Sequence, residues 1–237
     1  MTTAFITGAT SGIGRAIAVA LAQAGYQVYA VGRNEAALET LRLERPRIIP
    51  LAVDVTDRDA LAAVTAGLEV DVLINNAGMM PPLGNFADMA TADIDATLAV
   101  NLSAPVLLTR LIVPQMRERR SGHVLFTGSS TGHAPFANIA LYAATKAAIA
   151  GFAASLRADL SPYGVRVTEI VAGRVETQLY KNILDEKARA AMYAANTAVQ
   201  PEDVATMVVA VLGLPSWADV TRFDIMPTHP VTPSGSR

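Results

Sequence analysis

Short runs of β-branched and aliphatic residues alternate along this chain with longer alanine-rich stretches of helical period, and few folds accommodate that alternation. Strands are expected at 4–7, 27–31, 48–53, 70–74, 123–127, 165–171 and 221–226. Their interiors are almost wholly apolar, as suits strands covered by helices on both faces. The segments between them are too long for hairpins and long enough for helical crossovers. The expectation is an α/β chain with an open, doubly wound parallel sheet of about seven strands. With 237 residues and no linker or repeat, one domain is expected over 1–237, with a loose tail at 232–237.

Helix boundaries are also legible. A helix from Arg15 to Ala24 stops at Gly25, Thr56-x-x-Asp59 fits a capping box, and Pro201 with Glu202 and Asp203 suits a first turn. Thr91 precedes an apolar-periodic run over 92–118, and Arg117-Glu118-Arg119-Arg120 reads as its solvated last turn. Within that run Pro105 follows Asn101 by four, so it cannot donate to the Asn101 carbonyl and a kink is expected there.

Composition removes several classes of function. The chain has no cysteine, which excludes disulfides and thiol catalysis, and His123, His133 and His229 lack metal-site spacing. Its formal net charge of −2 is made of interspersed signs, so neither nucleic acid nor a membrane surface is an expected partner. Met1-Thr2-Thr3-Ala4 enters a strand without a basic leader, and Asn101, Pro105 and Arg110 break the apolar stretch 98–113. A soluble cytoplasmic protein without bound metal is expected.

The first strand runs into Thr7-Gly8-Ala9-Thr10-Ser11-Gly12-Ile13-Gly14. Such a turn lets backbone amides and a helix N-terminus approach a pyrophosphate: Gly8 for the turn, Gly12 for close approach, Gly14 for packing. The spacing differs from the common Gly-x-Gly-x-x-Gly, and glycines also occur in plain tight turns. Where a dinucleotide site usually carries an acid for the ribose hydroxyls, this chain has Gly32 and Arg33. A guanidinium grips a 2′-phosphate, which favours NADP(H) over NAD(H); Arg33 could equally be a surface residue opening the next helix.

Tyr142 and Lys146 lie four apart in a run of small residues and would share a helix face. A nearby ammonium is expected to lower the phenol's pKa toward the range useful to a general acid. The strand at 123–127 ends in Gly128-Ser129-Ser130-Thr131-Gly132, at the sheet edge where open α/β folds bind ligands. A serine there can hydrogen-bond a carbonyl oxygen gaining charge, though serine in a loop is usually turn chemistry.

Taken together, these motifs resemble the short-chain dehydrogenase/reductase family over nearly the whole chain. Thr7 to Gly14 is similar to its cofactor turn, Asn75-Asn76-Ala77-Gly78 to its Asn-Asn-Ala-Gly signature, and Tyr142-Ala143-Ala144-Thr145-Lys146 to its Tyr-x-x-x-Lys. The resemblance implies a sheet in the order 3-2-1-4-5-6-7 and selects Ser129 rather than Ser130. It implies a catalytic tetrad of Asn101, Ser129, Tyr142 and Lys146, with Lys146 also on the nicotinamide ribose. For the cofactor it implies Gly8, Thr10, Ser11, Gly12, Ile13, Gly14 and Arg33, then Asp54 and Val55 beside the adenine, then Asn76, Ala77 and Gly78. After the sixth strand Ala172-Gly173-Arg174-Val175-Glu176-Thr177 lacks the family's usual proline, while Gly173, Val175 and Thr177 remain for the carboxamide. A homodimer or homotetramer is implied, and a lid at about 174–200.

The expected activity is NADP(H)-dependent interconversion of a carbonyl and a secondary alcohol. A cofactor-sensing protein without chemistry would show a damaged tetrad, and a methyltransferase would show an acid after the second strand and no Tyr-x-x-x-Lys. Met79, Met80, Pro81, Leu83, His133, Pro135 and Phe136 are expected around the substrate, and Arg174, Lys181 or Arg189 could anchor a carboxylate. Arg222 to Thr228 is similar to a subgroup that includes 3-hydroxy-acid and clavulanate-type reductases.

Overall fold

The seven apolar runs all form strands, and all pair in parallel. In the computed structural model, which describes residues 1–181, 183–193 and 197–229, they are β1 (Thr3–Thr7), β2 (Gln27–Gly32), β3 (Ile48–Ala52), β4 (Val72–Asn75), β5 (Gly122–Thr127), β6 (Val165–Ala172) and β7 (Arg222–Ile225). The sheet order is β3-β2-β1-β4-β5-β6-β7. The chain therefore starts in the middle and winds outward in both directions, leaving a crevice at the carboxyl ends of β1 and β4, where the connections turn to opposite faces of the sheet.

One apolar layer holds Ile17 and Leu21 of α1 (Gly12–Gln23), Leu38 and Leu41 of α2 (Glu35–Glu44), and Val204 and Val208 of α9 (Pro201–Leu212). The opposite layer holds Leu61 of α3 (Arg58–Thr65), Leu108 and Ile112 of α5 (Ala104–Arg119), and Ile149 and Ala153 of α7 (Ala140–Leu160). Phe5 and Phe126 are fully buried in this second layer. Truncating either to alanine costs about 3 to 5 kcal/mol. Three further helices are α4 (Thr91–Leu98), the short α6 (Ser130–His133) and α8 (Glu186–Tyr193).

Four local expectations change. The helix expected from Arg15 begins at Gly12, so the glycine turn and the helix N-terminus are one element. The cap of α3 is Asp57, whose carboxylate accepts from Ala60 N, while the Thr56 hydroxyl instead donates to Asp54 at 2.8 Å. Arg119 is not simply solvated: it donates to the Val70 carbonyl at 2.8 Å and to Gln115, and lies 3.5 Å from Asp71. Finally, the irregularity expected at Pro105 takes the form of a π-helical turn. Helix α4 passes through a π-helical turn, Ala99–Ser103, into α5, where Ala104 N donates to the Ala99 carbonyl. The wider turn accommodates a proline that has no N–H to give.

The helical run Thr91–Arg119 is long and apolar enough by length and composition to cross a membrane. Leu108, Ile112 and Met116 nevertheless pack with β4 and β5 residues against the sheet, as in a core helix. The tail expected at 232–237 lies outside the described residues, as do residues 182 and 194–196 of the expected lid.

Candidate active site

At the carboxyl edge of the sheet, Thr7 at the end of β1 organises the crevice. Its hydroxyl accepts from the backbone N–H groups of Asn76 and Ala77, both at 3.0 Å. Asn76 returns the contact, its side-chain amide donating to the Thr7 carbonyl at 3.0 Å and to the Gly8 carbonyl at 3.3 Å. Its side-chain oxygen accepts from Thr127 at 3.1 Å, so the ends of β1, β4 and β5 are tied together. Asn76 was expected to touch the cofactor; its bonds show a structural task as well, invisible without the strand order.

The glycine turn is shaped by close backbone approach. Gly8 has φ of 67°, a left-handed conformation glycine adopts without strain. A Cβ on Gly14 would collide with the Gly8 carbonyl and the Asn76 amide. Gly14 thus packs on the turn and Asn76 rather than on the sheet. Ser11 is the N-cap of α1, yet its side chain makes no capping bond, so the first-turn amides are left for a ligand. Thr177 lies directly against Gly12, closing the turn from the far side. An open cavity of about 660 Å³ flanks this turn, lined by Arg15, Glu176, Arg189 and Tyr193 among others. It does not include Ser129 or Tyr142, and so it is not where the carbonyl chemistry is expected.

These features fit a dinucleotide. The uncapped helix start suits a pyrophosphate, and the cradle has no room for side chains. At the adenosine end Gly32 lies against the Thr10 methyl group and offers no carboxylate. Arg33 is 79% exposed and stands 3.6 Å from Asp54, with its guanidinium open to an anion. The Asp54 carboxyl is held below its ordinary pKa, first by the Thr56 backbone N–H and also by the Arg33 charge. Asp54 and Val55 follow β3 directly, on the same edge as Gly32 and Arg33.

The expected tetrad converges. Ser129 caps α6 immediately after β5, and Tyr142 and Lys146 lie on one face of α7. All three are buried, and the Ser129 hydroxyl acts on the Tyr142 phenol. The Ser129 oxygen also accepts from the Thr131 hydroxyl at 3.0 Å. Lys146 Nζ donates to the Thr127 carbonyl at 2.6 Å and sits 5.7 Å from the centre of the Tyr142 ring. Asn101 lies in the π-helical turn, where its side chain clasps the Met79 backbone: Oδ1 accepts from Met79 N at 2.8 Å and Nδ2 donates to the Met79 carbonyl at 2.9 Å. Gly78 brings the chain close to both Asn101 and Lys146.

The electrostatics correct one expectation. Tyr142 is not acidified: burial above all pushes its pKa up, the neighbouring Tyr180 adds to the rise, and the Ser129 hydroxyl opposes both. Lys146, itself desolvated, has its pKa lowered to about 8, with the Glu169 charge acting against that fall. Burial is the largest influence on each group, and the ammonium donates to the Thr127 carbonyl. Tyr142 is therefore a protonated phenol across the neutral range.

The residues expected around the substrate divide. Met80 is buried, whereas Leu83 and Phe136 are exposed. His133 hydrogen-bonds the buried Glu169, a partner that sequence reasoning missed; an acid interrupting the apolar run of β6 was the available signal. Of the candidate anchors, Lys181 is exposed, Arg174 is half-buried with a 3.4 Å bond to the Met192 carbonyl, and Arg189 lines the cavity behind the glycine turn. Gly173 packs against Met226 and Pro227, and Val175 bridges to Val199, so the loop after β6 is pinned without the missing proline.

Known proteins resemble this chain over most of its length. The family model of short chain dehydrogenases matches residues 2–188. A short-chain type dehydrogenase/reductase of Sinorhizobium fredii is 45% identical over 229 residues, 96% of this chain and 92% of that protein. The NADP-dependent 3-hydroxy acid dehydrogenase of Salmonella typhi is 34% identical over 94% of this chain and 93% of its own length. Among solved structures, the closed form of a serine dehydrogenase complexed with NADP+ superposes with a TM-score of 0.93 at 31% identity, covering all of both chains. With a fold, a site and relatives that agree over its length, the chain belongs to the short-chain dehydrogenase/reductase family and is an oxidoreductase acting on alcohol and carbonyl groups.

Proposed function

We propose that this protein interconverts a small secondary alcohol and its carbonyl with NADP(H), using Tyr142 as the proton donor and acceptor at oxygen. The observation that carries the reading is the convergence of Ser129, Tyr142 and Lys146 in one buried cluster at the edge of the glycine turn's crevice. When bound, the cofactor supplies or receives the hydride at the carbonyl carbon. The glycine turn and the N–H groups opening α1 hold its pyrophosphate, with Asn76, Ala77 and Gly78 on the crevice floor and Thr177 over Gly12. Arg33 takes the 2′-phosphate.

Ser129 donates to the substrate oxygen and orients it toward the Tyr142 hydroxyl. Tyr142, held protonated by its surroundings, gives its proton as that oxygen becomes an alkoxide. The Lys146 charge then favours the phenolate being formed, so its help comes as charge develops rather than in the resting phenol. Asn101, by holding Met79, fixes the segment that follows the fourth strand, beside Lys146. The described residues near 174–200 serve as the lid of a one-domain enzyme, which works in the cytoplasm as a homo-oligomer.

The substrate is a short 3-hydroxy acid or a comparable small anionic alcohol. Support comes from the 3-hydroxy acid and serine dehydrogenases just described and from a sulfoacetaldehyde reductase of Chromohalobacter salexigens, 35% identical over 94% of this chain. Arg174, at the start of the lid, is the proposed anion anchor. The test is NADPH consumption with 3-oxo acids and matched neutral ketones. Turnover is expected to favour the acids, and Tyr142→Phe is expected to reduce kcat by about a thousandfold, within the usual worth of general acid catalysis, while NADPH still binds. A Tyr142→Phe enzyme of undiminished rate would end this reading.

A further inference from the structure

Among the described residues, Glu169 is the one acidic side chain in the buried polar and charged set, at 5% exposure. It sits on β6 beside Phe126 of β5 and reaches toward the turn that follows β5. Burying a carboxylate without a partner is costly, so such a group is retained only where something holds it. The holder is His133, whose Nε2 lies 2.9 Å from Glu169 Oε1. His133 is the last residue of α6 and Ser129 is that helix's N-cap.

The pair therefore spans the short segment that carries Ser129. At one end Gly128 lies so close to Glu169 that a Cβ there would overlap the carboxylate, and Gly128 N donates to the Ile170 carbonyl at 2.9 Å. At the other end Gly132 packs on the backbone of Lys146 and Ala147. Pulling His133 onto β6 thus presses the Ser129 segment against β6 on one side and against the Lys146 turn of α7 on the other. We propose that Glu169 and His133 form a latch that positions Ser129 against Tyr142 and Lys146, making both of them positioning residues of the catalytic site. The negative charge beneath the turn also opposes the desolvation that weakens the Lys146 ammonium.

The inference rests on the assignment of Ser129, Tyr142 and Lys146 to catalysis, and the experiment separates the two. His133→Ala, His133→Gln and Glu169→Leu are compared with Tyr142→Phe for kcat, substrate KM, NADPH affinity and melting temperature. His133 is one-third exposed, so its truncation leaves the core intact. The latch predicts that His133→Ala and Glu169→Leu each lower kcat about tenfold, the worth of one lost buried hydrogen bond, with NADPH affinity held within about twofold. His133→Gln, which keeps an N–H donor for the carboxylate, should restore most of the loss. Full kcat in His133→Ala overturns the latch. So does a kcat loss that His133→Gln fails to restore, or one seen in His133→Ala but not in Glu169→Leu, which would mark His133 as a substrate contact. Should Glu169→Leu not fold, the two His133 variants alone decide. If Tyr142→Phe keeps its turnover, the catalytic assignment itself fails, whatever the latch variants do.

Discussion

On the β1–α1 side of the crevice, shape comes from side chains that are missing; on the β5–β6–α7 side, it comes from polar side chains taken out of water. Gly8 and Gly14 let two stretches of backbone meet where a single Cβ would intrude. Across the crevice, Ser129, Tyr142, Lys146 and Glu169 are all buried, and each has its hydrogen-bond or charge partner. The first wall is a steric specification and tolerates no added atoms. The second is an electrostatic one, in which removing one group leaves another unsatisfied.

The contrast breaks most sharply at Gly14. Gly14→Ala puts a methyl into the Gly8 carbonyl and the Asn76 amide, and should cost about 1 to 3 kcal/mol of stability together with most of the affinity for NADPH. Calorimetric titration checks this; an alanine enzyme that binds NADPH as the parent does would show that the wall can relax. Arg33 offers a gentler test of the same wall, since its exposed guanidinium fixes no neighbour beyond Asp54. Arg33→Ala is expected to weaken NADPH binding about tenfold, the scale of a charge-assisted contact, with NADH unaffected. Equal losses for both cofactors would remove Arg33 from phosphate recognition.

The opposite wall answers to pH. Lys146 has its pKa lowered from the ordinary 10.5 to about 8. Between those values the unfolded chain carries the extra proton, so this residue's contribution to stability rises with pH there. It is fully present above about 10.5 and is lost as pH falls through about 8. Melting curves of the parent and Lys146→Met across this window should diverge by a few degrees, at about 2 to 4 °C per kcal/mol for a chain of this size. Parallel curves would show that the ammonium is not desolvated. Activity in the reducing direction should decline above the same pH, as the ammonium that favours the phenolate is lost.

Most of the architecture was legible because its signals are local. Parallel strands with both faces covered must be apolar throughout, and all seven were found within about two residues of their ends. The glycine turn after β1 and the serine turn after β5 were readable for the same reason, as short motifs next to strand ends, whereas Asn101 and the choice of Ser129 over Ser130 came only from the family resemblance. Boundary chemistry was less accessible. Thr56 and Asp57 are both good caps, and only the backbone path shows Asp57 at the N-cap while Thr56 bonds Asp54. The irregularity beside Asn101 was expected from Pro105, but its form, a π-helical turn, was not.

The amino-acid order by itself determined the parallel sheet, the helix-borne pairing of Tyr142 with Lys146, and the side-chain-free turn, because periodicity and spacing act within a few residues of chain. The strand order alone decided what those residues feel. It buries Tyr142 and Lys146 together, so that desolvation, not mutual attraction, governs both protons, and it sets Glu169 of β6 beneath the turn after β5. Dielectric surroundings and partners distant in sequence are properties of packing, and only the folded chain has them.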